Sequence, residues 1–501
     1  MTKKIFTVLC AAALFGTAAQ AQNFKLNELE YLEARGANVL VYSNKYAGIF
    51  ADEKKAGVEI ILRGVRVATG GGIRLTNTPE QWDIYPEVVE RSVDPATSTI
   101  SATLEYADYG FRPVLKVSPY GKGVVISVLL DKPVPAALEG KAGLNLEFFP
   151  ASYFGTNFLM DGQPQVLPHH PAGESRMRPY EDRVPQFYGL STFDDRGRGE
   201  YIEVQPLATG HKLVMAPERD ELMVSVRSEQ QVGLYDGRML AQNGTFVART
   251  LIPSGKTGEV VRWYLETRVD PEWIREPNVG FSQIGYTPGQ KKVAVVELDR
   301  NDRVLPSASI MRVMDDGSQV EALRAEVKEW GVFYHRYNYA QIDFSAVKEP
   351  GVYYIQYGDV RTNSFPIAAD VYEGKWHTTM DVWLPVQMDH MEVNEGYRTW
   401  HGNSHRDDAL MAPTNYEQFD GYRQGPDTKT KYKPLEHIPN LAVGAWYDAG
   451  DFDVQGGTVV GLTHEFATLW ETFAPDRDQT YIDQSTQFVD IHRPDGTPDV
   501  I

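Results

Sequence analysis

The run Gly444-Ala445-Trp446-Tyr447-Asp448-Ala449-Gly450-Asp451-Phe452-Asp453 concentrates the residue types that do chemistry. Asp448 and Asp451 are separated only by the small residues Ala449 and Gly450, so the backbone can bend and turn both carboxylates toward one water or one sugar carbon. Trp446 and Tyr447 beside them offer flat apolar faces on which a pyranose ring can stack. The competing reading is a loop at a helix start, with Asp448 or Asp451 as its cap. A calcium loop fails on spacing, because an EF-hand needs acids at alternating positions and Gly at the sixth. His405-Arg406-Asp407 fails as a kinase catalytic loop, since Ala412 stands where Asn is required and no phosphate loop precedes it. Gly70-Gly71-Gly72 lacks the Lys-Ser/Thr of a phosphate loop and reads as a turn. His169-His170, in a Pro-rich stretch, specify no metal geometry and read as a solvated loop.

The elements that must hold the Asp pair follow from periodicity. After Asp370 the apolar period becomes helical: Trp376, Met380, Trp383 and Gln387 form one candidate helix, which Pro385 must kink or end. Val459, Leu462, Phe466, Leu469 and Phe473 form a second, with Pro475 as its stop. Between them, Thr399 to Asn440 is polar and aromatic, more a functional loop than a linker. Upstream, the runs Val39 to Tyr42, Val58 to Leu62, Ile100 to Tyr106, Val124 to Leu130, Leu222 to Val226 and Val260 to Leu265 are short and rich in β-branched residues, which predicts strands. Asn243-Gly244 predicts a two-residue hairpin turn between Met239 and Val247. Further runs, Val293 to Leu298, Ile310 to Val313 and Tyr353 to Tyr357, predict a second sandwich of immunoglobulin-like size, with Pro350-Gly351 turning into its closing strand. Trp330, Phe333 and Tyr334 in that sandwich read as packing residues, because a sugar platform needs exposed rings side by side. The expected domains are a signal peptide over 1–21, an N-terminal β-sandwich over 22–272, an immunoglobulin-like β-sandwich over 273–369 and a helical domain over 370–501.

At 501 residues the chain has room for about three domains. Nothing after the first twenty residues approaches the ~18 unbroken apolar positions of a membrane span, so the chain is not expected to be membrane-embedded. A net charge of -19 repels a phosphate backbone, which makes nucleic acid a poor partner. Lys3 and Lys4, the apolar stretch Ile5 to Gly16 and Ala19-Gln20-Ala21 form a signal peptide pattern. It predicts export to the periplasm, the cell surface or the medium, with maturation after Ala21. The only cysteine, Cys10, lies inside that segment, so the mature chain is expected to form neither disulfides nor thiolate metal sites.

Gly444 to Asp453 resembles the Gly-Gly-Trp-His/Tyr-Asp-Ala-Gly-Asp signature of glycoside hydrolase family 9, inverting cellulases built on a six-hairpin (α/α)6 barrel. Gly280-Phe281-Ser282-Gln283-Ile284-Gly285-Tyr286-Thr287-Pro288, and Asp343-Phe344-Ser345 with Pro350-Gly351-Val352-Tyr353, resemble the start and end of the immunoglobulin-like domain that precedes many such catalytic domains. Gly496-Thr497-Pro498-Asp499-Val500-Ile501 resembles a barrel segment that usually continues into Leu-Asp-Glu. The resemblance spans roughly Pro277 to Ile501. Outside it, the first β-domain has only an analogy to a sugar-mutarotase-like supersandwich.

The fold it implies is two all-β sandwiches followed by the N-terminal part of an all-α (α/α)6 barrel. The resemblance assigns Asp451 as the general base that activates the attacking water and Asp448 as the residue that orients it. Trp446, Tyr447, His401 and His405 are the expected substrate contacts. The general acid is a Glu far beyond the signature, so the catalytic domain is expected to be truncated and these residues alone inactive. Many relatives carry cysteines around the segment equivalent to Gln387 to Asp408, and some bind structural zinc there. Here Asp389 and Ser404-His405 stand in those places, so no metal and no cofactor are expected, and His390, His401 and His405 read as polar loop or subsite groups. The expected ligand is a β-glucan polysaccharide or oligosaccharide, with cleavage of β-1,4-glucosidic bonds. The alternative is a non-catalytic glycan-binding or adhesion protein with a vestigial hydrolase domain.

Overall fold

The computed structural model describes residues 24–43, 57–80, 83–179, 182, 184, 200–240, 244–333, 337–383, 387–396, 398–402, 405, 409–415, 425–449 and 454–501. The signal segment, Tyr334 and Asp451 lie outside these residues. The chain divides into two compact units, Met1–Arg275 and Glu276–Ile501.

In the first unit the β-branched runs form strands; Thr99–Glu105 alternates, with Ile100, Ala102 and Leu104 pointing inward, whereas Val58–Leu62 is buried at every position. Sixteen strands join one antiparallel sheet. Val39 and Ile60, near one end of the strand order, share a hydrophobic cluster with Ile100 and Leu115 near the other. The sheet therefore folds back over a single core. Two local expectations need correction. Gly70, Gly71 and Gly72 lie within the strand Val65–Arg74 and form no turn. A Cβ on Gly71 would stand 2.5 Å from that of Val58, so the glycine is required by a close backbone approach rather than by a reversal. The hairpin near Asn243-Gly244 closes at the pair Asp236↔Phe246, so its connection is longer than two residues; Asn243 itself lies outside the described residues.

In the second unit, residues 278–367 form a β-sandwich. Its longest strand, Gln319–Phe333, serves both layers: its first part pairs with Ser307–Val313 and its second with Tyr337–Asp343. Tyr286, Phe344, Tyr353 and Phe365 pack its core. Gly351 begins the strand Gly351–Tyr357 directly after Pro350, as its turn chemistry predicts. Trp330 and Phe333 do not enter this core. A bulge between Glu329 and Gly331 re-aims the strand, and the two rings stand 52% and 41% exposed with centroids 5.0 Å apart.

The helical barrel expected over 370–501 is not present. Among the described residues of this segment the only helices are His377–Asp381 and Gly456–Phe473, and a four-stranded sheet accompanies them. The second helix follows its predicted register and ends before Pro475. The first continues from Asp381 through Val382 and Trp383 as a π-type turn, where the Gln387 amide donates to the Val382 carbonyl at 3.0 Å, and the chain then enters the strands Glu392–Glu395 and Arg398–His401. Glu392–Glu395 pairs in parallel with Phe488–Ile491, burying Val393, Val489 and Ile491 with Met380, Met388 and Met391. Phe466 and Leu469 of the long helix pack on the same cluster. Among the described residues, no helix is long and apolar enough to cross a membrane.

Candidate functional site

The Asp-bearing run is held by a short ladder to the segment 387–390. Trp446 bridges Met388, the Tyr447 amide donates to the Gln387 carbonyl at 2.8 Å, and the Asp389 amide donates to the Ala445 carbonyl at 3.0 Å. Reaching this ladder takes a left-handed bend: Gly444 has φ 65° and Ala445 φ 81°. Ala445 stands where the family signature has its second glycine, and a Cβ in this region costs about 1–2 kcal/mol.

Asp448 follows directly and is half-buried. Its Oδ1 accepts a 2.6 Å bond from the Thr458 hydroxyl, in the first turn of the helix Gly456–Phe473. Asp448 does not cap this helix, whose N-cap is Gln455 without a side-chain cap bond; it is tied to the helix start through the Thr458 hydroxyl alone. Asp451 lies outside the described residues. Trp446 packs edge-on against Phe466 with ring centroids 5.8 Å apart, and Tyr447 is buried with its ring edge-on to His405 at 5.7 Å. His401 ends the strand Arg398–His401, opposite Val393. Trp446 Nε1 and Gln387 Oε1 are buried without a hydrogen-bond partner, leaving one donor and one acceptor beside the ladder unsatisfied.

Behind the ladder, Asp389 and His405, which stand where relatives carry cysteines, meet His390 in one hub. Asp389 is fully buried and accepts from the His390 amide at 2.7 Å, while its other oxygen faces His405 Nδ1 at 3.0 Å and His390 Nδ1 at 3.3 Å. His390 Nδ1 also lies 2.8 Å from the Gly444 carbonyl. The donor atoms of Asp389, His390 and His405 lie within 4.8 Å of one another, close enough for a metal to be considered. The bonding pattern argues otherwise. A carbonyl only accepts, so His390 Nδ1 carries a hydrogen and cannot ligate through that atom. His405 turns its Nδ1 to Asp389, and no thiolate is at hand. As arranged, the three groups satisfy one another and tie the Asp-bearing run to the segment beneath it.

Asp389→Ala is therefore expected to destabilise the second unit by roughly 1–3 kcal/mol, because it strips the acceptor from buried donors. Asp389→Asn, which keeps an acceptor, should lose less. Urea unfolding of both variants measures this, and an unchanged Asp389→Ala midpoint would contradict the hub.

The β-sandwich over 278–367 defines an immunoglobulin-like module placed ahead of this site. Residues 275–362 match the family model described as "Cellulase N-terminal ig-like domain", and this part of the chain belongs to that family. No curated protein matches the chain. Among solved structures, it is similar to a metagenome-derived glycoside hydrolase family 9 endoglucanase at 20% identity and a TM-score of 0.33, over 45% of this chain and 38% of that one. It is also similar to a GH9 protein of Bacteroides ovatus at 21% identity and a TM-score of 0.32, over 44% of this chain and 36% of that one. The chain thus spans less than two-fifths of the length of these two structures.

Proposed function

We propose that the protein is an exported glycoside hydrolase that cleaves β-1,4-glucosidic bonds of plant β-glucans with inversion. The observation that supports this most is a cellulase-type immunoglobulin-like domain at 275–362 followed in the sequence by the Asp448-Ala449-Gly450-Asp451 run, of which Asp448 lies on a loop anchored to the segment 387–390. In this reading Asp451 takes a proton from the attacking water. Asp448, one oxygen of which is engaged by Thr458, uses the other to orient that water. Inversion needs an acid on the opposite face of the sugar, with the carboxyl groups ~6.5–9.5 Å apart so that the water fits between them. Trp446, Tyr447, His401 and His405 are the proposed substrate contacts; of these, Trp446 keeps partial exposure while Tyr447 is buried and orders the loop. The ligand is an uncharged sugar chain. A net charge of -19 disfavours nucleic acid.

The test follows the anomer released. Incubating the complete gene product with cello-oligosaccharides and recording proton NMR spectra early in the reaction should reveal the α-anomer first. First release of the β-anomer would rule out inversion. Binding without any hydrolysis would favour a non-catalytic glycan-binding protein.

A further inference from the structure

The outward face of the first unit carries a cleft that the hydrolase reading does not use. It has a volume of about 770 Å³ and lies across the strands Glu87–Asp94, Thr99–Glu105, Val114–Tyr120, Gly123–Leu130 and Gly258–Thr267. Pairing register fixes its floor. Ser92 stands opposite Ser101, Ser101 opposite Lys116, Lys116 opposite Ser127, and Ser127 opposite Arg262. One row of five side chains therefore crosses five strands, about 19 Å at the usual strand spacing. Next to it runs a second row, Ser118, Val125 and Tyr264.

The composition of this face is specific. Three of the five floor residues are serines, of which Ser127 is 8% exposed at the bottom of the cleft, and Val125 and Leu129 add apolar surface beside them. The charges on its walls balance: Lys116 and Arg262 are offset by Asp94 and Glu259, and Arg262 pairs with Glu259 at 2.5 Å. Beyond the lining residues, Tyr120, two residues past Ser118 on the same face of its strand, packs against Tyr264 with ring centroids 4.9 Å apart and stands 52% exposed. Protein interfaces have apolar cores rich in aromatics, Met and Arg. A long, electrically balanced trough that mixes serines with apolar surface and an exposed ring at its edge fits a chain that is itself uncharged, with hydroxyl groups at its rims and apolar C–H faces.

We propose that this face is a binding groove for an extended neutral polysaccharide, lying across the strands and stacking on Tyr120. That the polysaccharide is a β-glucan rests on the hydrolase reading above. The groove would hold polymer independently of the Asp-bearing loop.

The whole chain, titrated calorimetrically with soluble mixed-linkage β-glucan and with cellohexaose, tests this. Tyr120→Ala should raise Kd by up to about tenfold, the value of one lost aromatic contact. Ser118→Trp, which fills the groove, should abolish binding. Lys116→Gln, at an exposed side chain, gives a weakened complex without disturbing the core, and thermal melts identify any variant that misfolds. Wild-type affinity in a folded Ser118→Trp variant would overturn the proposal. So would failure of the unmodified chain to bind any neutral glucan, or binding of polygalacturonate alone. The two readings fail separately. If the complete gene product does not hydrolyse glucan but binds it in a groove-dependent way, only the hydrolase assignment falls. If oligosaccharide hydrolysis is intact and groove variants bind polymer like wild type, only the groove falls.

Discussion

In the complete gene product, Asp451→Asn is expected to lower kcat by about 10²–10⁴-fold, the usual contribution of general acid–base catalysis. An amide cannot accept the proton from the attacking water, yet it fills the same volume. The loss should therefore fall on kcat, with KM changed little. Asp448→Asn should be severe as well but smaller in effect, because an amide oxygen can still accept the bond from Thr458 while orienting water less strongly. Thr458→Val separates the two roles: it frees the Asp448 carboxylate without altering its charge, so it should reduce kcat modestly and leave the pH profile in place. Initial rates on cello-oligosaccharides read all three. If Asp451→Asn kept more than a tenth of the wild-type kcat, Asp451 would not be the base.

The contrast between what periodicity reveals and what it misses is physical. Thr99–Glu105 was legible because burial on one face of an antiparallel sheet alternates along the strand, and Val58–Leu62 because a strand buried on both faces is a short, near-continuous apolar run. The helix Gly456–Phe473 was legible for the same local reason, with Pro475 as a stop. The spacing of Trp376, Met380, Trp383 and Gln387 marked a real but short helical stretch, α-helical over His377–Asp381 and π-type at Val382 and Trp383, whose Met380 is buried against the small sheet; a few turns of period do not specify a barrel. That sheet was invisible because its strands are four residues long and its central pair, Val393↔Val489, joins segments far apart in the chain. Periodicity says nothing of the Asp389–His405 contact, sixteen residues apart; only the resemblance, which places both where relatives carry cysteines, brought the two together. Gly71 shows the reverse error, a turn-forming residue used for close packing inside a strand.

Asp499→Ala is expected to cost roughly 3 kcal/mol of stability, at the low end of what breaking a buried ion pair costs. Asp499 accepts from the Gln479 and Thr480 amides, each at 2.8 Å, and pairs with Arg477 at 2.8 Å. The Arg477 side chain is only 6% exposed, so truncating its partner would leave a buried cation held by Asp381 alone, which is 37% exposed. The same bonds tie the last residues to the strand Thr480–Asp483 and hence to the small sheet. Burial is the largest influence on the Asp499 carboxyl and pushes it above its ordinary range, against the pull of the two amides and Arg477. A value raised in the folded state means that the fold holds this proton more tightly than the unfolded chain does. The contribution is fully present below pH about 4 and is lost as pH rises through the raised value. Against Asp499→Asn, whose side chain does not titrate but still accepts the amide bonds, the wild type should therefore lose relative stability between pH of about 4 and 7. Urea unfolding across that range measures both effects. A wild type that gained on Asp499→Asn as pH rose would show that attraction to Arg477 outweighs burial at this carboxylate.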